Sequence, residues 1–390
     1  MSNKLTGYRR SDGSFGFRNH LLILPVSVCS SKVAADIAAQ IPGAVTIQNQ
    51  HGCSQIGRDF ALTKAALTGF GRHANVGAVL VVGLGCDGIQ AADFAEELRE
   101  YGKDVQSLVI QENGGTLKTV AKGVETASVM ARKLSVARRE ECGIEELILG
   151  LECGGSDPTS GLAANPAIGY ASTRLVDAGG SSILSETTEV IGAEHLLAPR
   201  FADPVERQKF LTMVENVEKR AMSMEVDLRE GQPTPGNKAG GLSTIEEKSL
   251  GCMYKAGSSP FVGALEYAEP LPVKKRRGLY FMDSPGQDID SITGMVASGA
   301  QVIIFSTGRG TPTGSPIVPV IKITGNSSTF EKMEDNIDLN GGRIITEGAQ
   351  VSEIGEELFQ MILDVANGRL SKAESLGHRE FGIYRLTGAF

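Results

Sequence analysis

The sequence predicts an α/β protein built on a mostly parallel sheet, and three observations carry that expectation. Short apolar runs alternate with stretches of helical spacing, at 21–28, 44–47, 76–82, 106–110 and 147–151. That alternation is the pattern of βαβ units. Each run stops at a glycine-rich or polar cluster, as a buried strand does. The residues able to do chemistry gather just past those stops, where open α/β sheets bind ligands. The expected architecture is a Rossmann-like domain over residues 1–235 with cysteines at its strand ends. A second, smaller α/β domain over 236–390 is expected to contribute anion-binding loops.

In chain order, residues 7–20 are turn-rich and full of arginine, and LLILPVSV (21–28) is the first strand, ending at Cys29. Residues 32–40 place Val33, Ala34, Ile37 and Ala38 on one helical face. The strand at 44–47 runs into QNQHGC, with His51 and Cys53, and a helix is expected over 56–68. VGAVLVV (76–82) ends in GLGCDG with Cys86, and a helix with a charged face spans 89–101. The run at 106–110 precedes QENGGT, and a long helix, about 117–140, leads to the strand at 147–151. That strand stops at Glu152 and Cys153, followed by GGSDPTSGLAANP. Helices at 167–178 and 204–224 flank a short strand, 182–184, that opens into SETTE. Residues 229–244 have the composition of a linker; Ser243 and Thr244 ahead of Glu246 and Glu247 start a helix that carries Lys248. Three more strands follow at 278–282, 301–305 and 319–323, then a closing helix and a polar tail with no functional reading.

Composition narrows the function. A chain of 390 residues holds two or three domains, and 48 glycines without a repeat indicate many tight turns. With 38 basic against 46 acidic residues the net charge is −8, and the one basic cluster, KKRR at 274–277, reads as a solvated loop. Nucleic acid is not an expected partner. No run approaches ~18 apolar residues, so no membrane helix is expected. The N-terminus lacks the apolar core of a signal peptide, which points to the cytoplasm. Six cysteines in such a chain are thiols or metal ligands, not disulfides.

Cys29, Cys53, Cys86 and Cys153 each follow a separate strand run, so a single parallel sheet would align them on one edge with His51 and Glu112. One cysteine is ordinarily a small core residue. Four at strand ends are poorly placed for that. The absence of a CxxC pair argues against a zinc ribbon. Sulfur, imidazole and carboxylate donors together suit Fe(II) or zinc. Cys53, Cys86 and Cys153 are therefore the expected metal ligands, Cys29 is not assigned, and Cys142 and Cys252 are expected to be dispensable. Lys248, Glu152 and His51 are the candidates for proton transfer. Arg309, in TGRGTPTG, and Arg18, in GFRNH, are expected to bind an anionic substrate together with Lys322, Asn165 and Ser156. GLGCDG (83–88) echoes the GxGxxG fingerprint, but no acidic ribose-binding residue can be assigned at the usual spacing, and GxxxxGK[ST], GxSxG and HExxH do not occur, so dinucleotide, phosphate-loop, hydrolase and zinc-protease readings lack support.

GYRRSDGSFGFRN, NQHGCSQ, GLGCDG, QENGGT, ECGGSDPTSGLAANPAIG, SETTEVIGAE, PGNKAGGLSTIEEKSLG, MDSPGQD and STGRGTPTGSP follow one another in this order. Together they resemble the large catalytic part of the altronate and galactarate dehydratase family. The resemblance implies a requirement for Fe(II); an iron–sulfur cluster on three of the cysteines is the alternative form of the site. It also implies a small SAF domain, supplied here by a separate alpha subunit, and hence a hetero-oligomer. The layout is most similar to the branch that cleaves (2R)-3-sulfolactate to pyruvate and sulfite, by α-proton abstraction and β-elimination. Dehydration of altronate or a related sugar acid is the alternative within the family. A non-catalytic binding or scaffold subunit is the alternative from another class.

Overall fold

The computed structural model describes residues 4–231 and 233–387. In chain order its strands are β1 (Leu5–Arg9), β2 (Phe15–Gly16), β3 (His20–Pro25), β4 (Ala44–Thr46), β5 (Val76–Gly83), β6 (Asp104–Val109) and β7 (Glu140–Cys142). There follow β8 (Ile148–Cys153), β9 (Ser181–Leu184), β10 (Phe261–Leu265), β11 (Leu279–Met282), β12 (Val302–Ser306), β13 (Val320–Thr324) and β14 (Leu339–Asn340). They form two parallel sheets. One has four strands in the order β4-β3-β5-β6, the other seven in the order β10-β11-β9-β8-β12-β13-β14. A small antiparallel ribbon, β2-β1-β7, lies outside them.

The α/β class and the parallel pairing agree with the sequence; the domain division does not. The seven-stranded sheet takes β8 and β9 from before residue 235 and five strands from after it, so a boundary at 235 would cut one sheet in two. The second sheet is also the larger. Between β9 and β10 the chain makes a helical excursion through Glu194–Leu197, Pro204–Met222, Pro235–Ala239 and Ile245–Met253. The linker-like composition of 229–244 belongs to that excursion. The long helix also stops earlier than expected, at Ser135. Past it the Arg139 guanidinium donates to the carbonyls of Thr6 and Ala366, and the chain turns into β7.

Central strands are apolar because both faces are covered: β5 and β12 are buried along nearly their whole length. The two sheets are not independent. One core cluster holds Leu22, Val79 and Phe70 from the first unit with Met295, Ile303 and Phe305 from the second. Helix Gly57–Arg72 lies so close to helix Asp288–Ser298 that a Cβ on Gly69 would sit 2.4 Å from the Ala297 carbonyl oxygen. Helix Asp288–Ser298 starts with the Gln287 side chain accepting from the Asp290 N–H and ends at Gly299, whose φ of 117° suits a residue without Cβ.

His73 adds a pH-sensitive tie between the units. It is 2 % exposed, its Nε2 lies 2.9 Å from the Ala300 carbonyl, and its Nδ1 accepts the Asn75 N–H at 3.0 Å. Burial pushes its pKa from 6.5 to about 3. Between those values the unfolded chain binds a proton that the folded one excludes, so stability falls as pH drops below 6.5. Unfolding followed from pH 7 to pH 3.5 is expected to show this loss, and a smaller one in His73→Gln. Identical acid limbs in the two proteins would refute the assignment.

Candidate active site

A pocket of about 230 Å³ opens at the carboxyl end of β8, between Ser156, Asn165, Lys248 and Cys252. A larger cavity, about 380 Å³, lies where β5, β6, β8 and β12 begin, at the opposite ends of the strands. The smaller one adjoins the chemistry.

β8 ends in Glu152 and Cys153, whose side chains point to opposite faces of the sheet. Both are buried. Glu152 Oε2 accepts from Ser291 Oγ at 2.7 Å, and its Oε1 has no partner. At the end of the neighbouring β9, Glu186 has a φ of 70°, a left-handed conformation uncommon outside glycine. Its N–H donates to Ser284 Oγ at 2.8 Å, and its Oε2 accepts from Lys255 Nζ at 2.7 Å and the Cys153 N–H at 3.0 Å. Lys255 and Glu186 are wholly buried, and Glu186 Oε1 is unpartnered. Such a strained backbone persists only where its surroundings hold it, and these cluster at functional sites.

The excursion helix Ile245–Met253 closes the site from the other side. Thr244 caps it by accepting from the Glu247 N–H, as the sequence predicts. Lys248 and Cys252, one turn apart, share its inner face. Cys252 Sγ lies 3.4 Å from Cys153 Sγ and donates to Glu189 Oε2 at 3.1 Å, while Lys248 Nζ pairs with Glu189 Oε1 at 2.5 Å. Ligating atoms of Cys153, Glu189 and Cys252 all fall within 4.8 Å of one another, the one such grouping among the described residues.

The charges are strongly coupled. Burial, reinforced by Glu186, pushes the Glu152 carboxyl well above its usual range. Hydrogen bonding to Cys252 and then burial push the Cys153 thiol well up. Burial works against the Lys248 ammonium, but Glu189 outweighs it and holds the lysine charged. Asp288, whose carboxylate occupies the space a Cβ on Gly154 would need, is raised to about 7 by burial and by Glu186. Two thiols and a carboxylate are donors of the kind that hold Fe(II) or zinc, and the orphan oxygens of Glu152 and Glu186 lie on adjoining residues. The residues fit such an ion.

The other expected site residues are dispersed. Asn165 and Ser156 line the pocket; Asn165 bridges the Gly251 carbonyl and Ser306 Oγ. Arg309 is exposed, its N–H bonded to the Gly155 carbonyl and its guanidinium to the Gly236 carbonyl at 2.6 Å, next to the pocket's Ser156. Lys322 lies beneath that loop and donates to the carbonyls of Pro312 and Thr313, so it holds the loop and does not line the pocket. Arg18 is used up at the junction of the units, paired with Glu374 and donating to the carbonyls of Phe17, Val365 and Arg369. Its guanidinium has no free edge for a substrate. His51 Nε2 faces the Ile383 carbonyl at 3.0 Å.

The expected set Cys53, Cys86 and Cys153 is not assembled, because the first two belong to the four-stranded sheet and the third to the seven-stranded one. Cys252, expected to be dispensable, takes their place beside Cys153. Glu189, Lys255 and Asp288 complete the group without having stood out in the sequence. The only signal for Cys252 was its i,i+4 spacing from Lys248.

Two family profiles cover almost the whole chain: the second domain of D-galactarate dehydratase/altronate hydrolase over residues 7–135, and the C-terminal region of D-galactarate/altronate dehydratase over 144–388. The (2R)-sulfolactate sulfo-lyase subunit beta of Chromohalobacter salexigens is 38 % identical over 97 % of both chains. The altronate dehydratases of Escherichia coli and Bacillus subtilis are 37 % and 34 % identical over 97 % of this chain and 77 % of their own length.

Proposed function

This chain belongs to the D-galactarate/altronate dehydratase family, and from that premise we propose that it is the catalytic subunit of an iron-dependent lyase acting on (2R)-3-sulfolactate. The observation that carries a lyase is the buried group Cys153–Cys252–Glu189 with Lys248, set against a pocket at a strand end. The substrate rests on the sulfo-lyase relative, matched end to end.

The reaction removes the proton on the carbon next to the carboxylate and expels sulfite from the following carbon. The bonding pair of the C–H bond becomes the new C=C bond, the C–S pair leaves with sulfite, and the enol so formed takes up a proton to give pyruvate. Iron held by Cys153, Cys252 and Glu189 would supply Lewis-acid stabilisation of the developing enolate. Lys248, kept cationic by Glu189, meets the substrate's anionic end, while Ser156 and Asn165 offer hydrogen bonds to its hydroxyl. Asp288, with a proton affinity near neutrality, is the carboxylate suited to take the α-proton. Glu152, on the opposite face of β8 from Cys153, anchors helix Asp288–Ser298 through Ser291. Arg309 stands at the rim, placed to draw in the sulfonate.

A partner fits the same picture. Leu162, Leu250 and Tyr254 line the pocket and are 67, 43 and 55 % exposed. An apolar rim of this kind is suited to cover by a small SAF-type alpha subunit, and excluding water there strengthens the charges inside. The test is anaerobic reconstitution with iron and a candidate small subunit, scoring sulfite and pyruvate from sulfolactate against keto-deoxy acid from altronate. Sulfite release that depends on the partner is expected. Altronate turnover alone would make the chain a hydro-lyase, and no turnover of either would refute the catalytic reading.

A further inference from the structure

The three exposed cysteines of this chain, Cys29, Cys53 and Cys86, all sit at the carboxyl edge of the four-stranded sheet. They follow β3, β4 and β5, which are adjacent in the order β4-β3-β5. With strands about 4.8 Å apart, the three strand ends span roughly 10 Å. Their loops are tied to one another in every pair. Ser27 Oγ donates to Asp87 Oδ1 at 2.5 Å, joining the turn before Cys29 to the turn of Cys86. The Val28 N–H donates to the His51 carbonyl at 2.6 Å, joining Cys29 to the Cys53 turn. Gly88 lies so close that a Cβ there would be 3.8 Å from Cys53 Cα. Asp87 Oδ2 further accepts from the N–H groups of Leu84 and Gly85, which fixes the Cys86 turn.

Cysteine is among the most buried of residue types, and an exposed one has no packing role. Three on three interlocked turns have a common purpose. One ion is not that purpose, because no three donors here come within 4.8 Å of one another. A multi-iron cluster bridges more widely spaced thiolates. Cys29 also lies in the first turn of helix Val28–Ala38, where the helix dipole favours the negative charge that thiolates bring. We propose that Cys29, Cys53 and Cys86 ligate one iron–sulfur cluster on this edge.

Assembly consumes iron and inorganic sulfide, and each thiol releases its proton to solvent as its sulfur bonds to iron. Equal amounts of ferrous and ferric iron give the mixed-valence cluster with no net oxidant. Three thiolates leave one iron of a cubic cluster without a protein ligand and open to an oxygen donor. The location suits that. A Cβ on Gly382 would lie 2.4 Å from Asp290 Oδ1 and 3.5 Å from Gln50 Nε2, so residues 382–383 join the Cys53 turn to helix Asp288–Ser298. The first residue of that helix packs on Gly154, next to Cys153. The cluster edge is thus linked to the candidate active site through residues 382–383 and helix Asp288–Ser298, and the assignment does not depend on which substrate is used there.

The test is anaerobic reconstitution of the full chain with ferrous iron, ferric iron and sulfide, read by acid-labile sulfide, visible absorption and Mössbauer spectra. About four sulfides per chain are expected, and Cys29→Ser, Cys53→Ser and Cys86→Ser should each cut that at least about threefold. Cys142→Ser and Cys153→Ser should retain it. A second readout needs no variant: alkylation of the wild-type chain should label Cys29, Cys53 and Cys86 before reconstitution and spare all three afterwards. Wild-type protein without labile sulfide, full sulfide in all three serine variants, or equal labelling before and after would overturn the proposal.

Discussion

Replacing Cys153 with serine is expected to remove one iron per chain and to lower turnover by roughly 10²–10⁴, the several kcal/mol a Lewis acid contributes. The serine hydroxyl is nearly the size of the thiol but does not ionise to a soft ligand, so the effect should fall on the metal and leave the fold intact. Cys252→Ser should behave in the same way, because its sulfur lies 3.4 Å from that of Cys153 and bonds the same Glu189. Iron analysis separates this buried site from the sheet-edge cysteines: labile sulfide should be unchanged in both variants. Wild-type turnover in Cys153→Ser would rule out the buried trio as the iron site.

How far the sequence could be read follows from what kind of signal each residue leaves. Glu152 and Cys153 were legible because an apolar run broken by ECGGSDP marks a strand end, and strand ends in parallel sheets gather ligands. Asn165 and Ser156 come with them, within one loop and helix start. Cys53 and Cys86 were equally legible as strand-end thiols, yet periodicity says nothing about which strands share a sheet, so they were joined to the wrong cysteine. The boundary at 235 failed for a related reason. A helical excursion and a linker have similar composition, and it is the pairing of β9 with β11 and of β8 with β12 that shows the chain returning to the same sheet. Lys255 and Cys252 lie on helical segments whose inner face is apolar in part, and a lone lysine there reads as a surface charge. Arg18 looked like an anion binder because it sits in a turn; its real partners, Glu374 and three carbonyls, lie mostly at the other end of the chain.

Lys255→Met is expected to destabilise the protein by about 3–5 kcal/mol, the usual cost of leaving a buried charge without its partner. Lys255 and Glu186 are both wholly buried, 2.7 Å apart, and the neighbouring Glu152 carboxyl is pushed up by burial and by Glu186 while Lys255 pulls it down. Burial alone would lower the Lys255 ammonium, yet Cys153 and Glu186 carry it well above its ordinary value, so the lysine is charged throughout the neutral range. Methionine keeps the length and packing of the side chain and removes the charge, leaving Glu186 held by the Cys153 N–H alone. Adding Glu186→Gln should then restore at least half of the lost stability, since a neutral amide can still accept that N–H and strands no charge. Turnover should stay low in the double variant, because the carboxylate next to Cys153 is gone. Denaturant midpoints of the two variants decide the matter. If the double variant is as unstable as Lys255→Met, the ammonium was acting through its packed stem, and the left-handed Glu186 is held in place by sterics without any need of the ion pair.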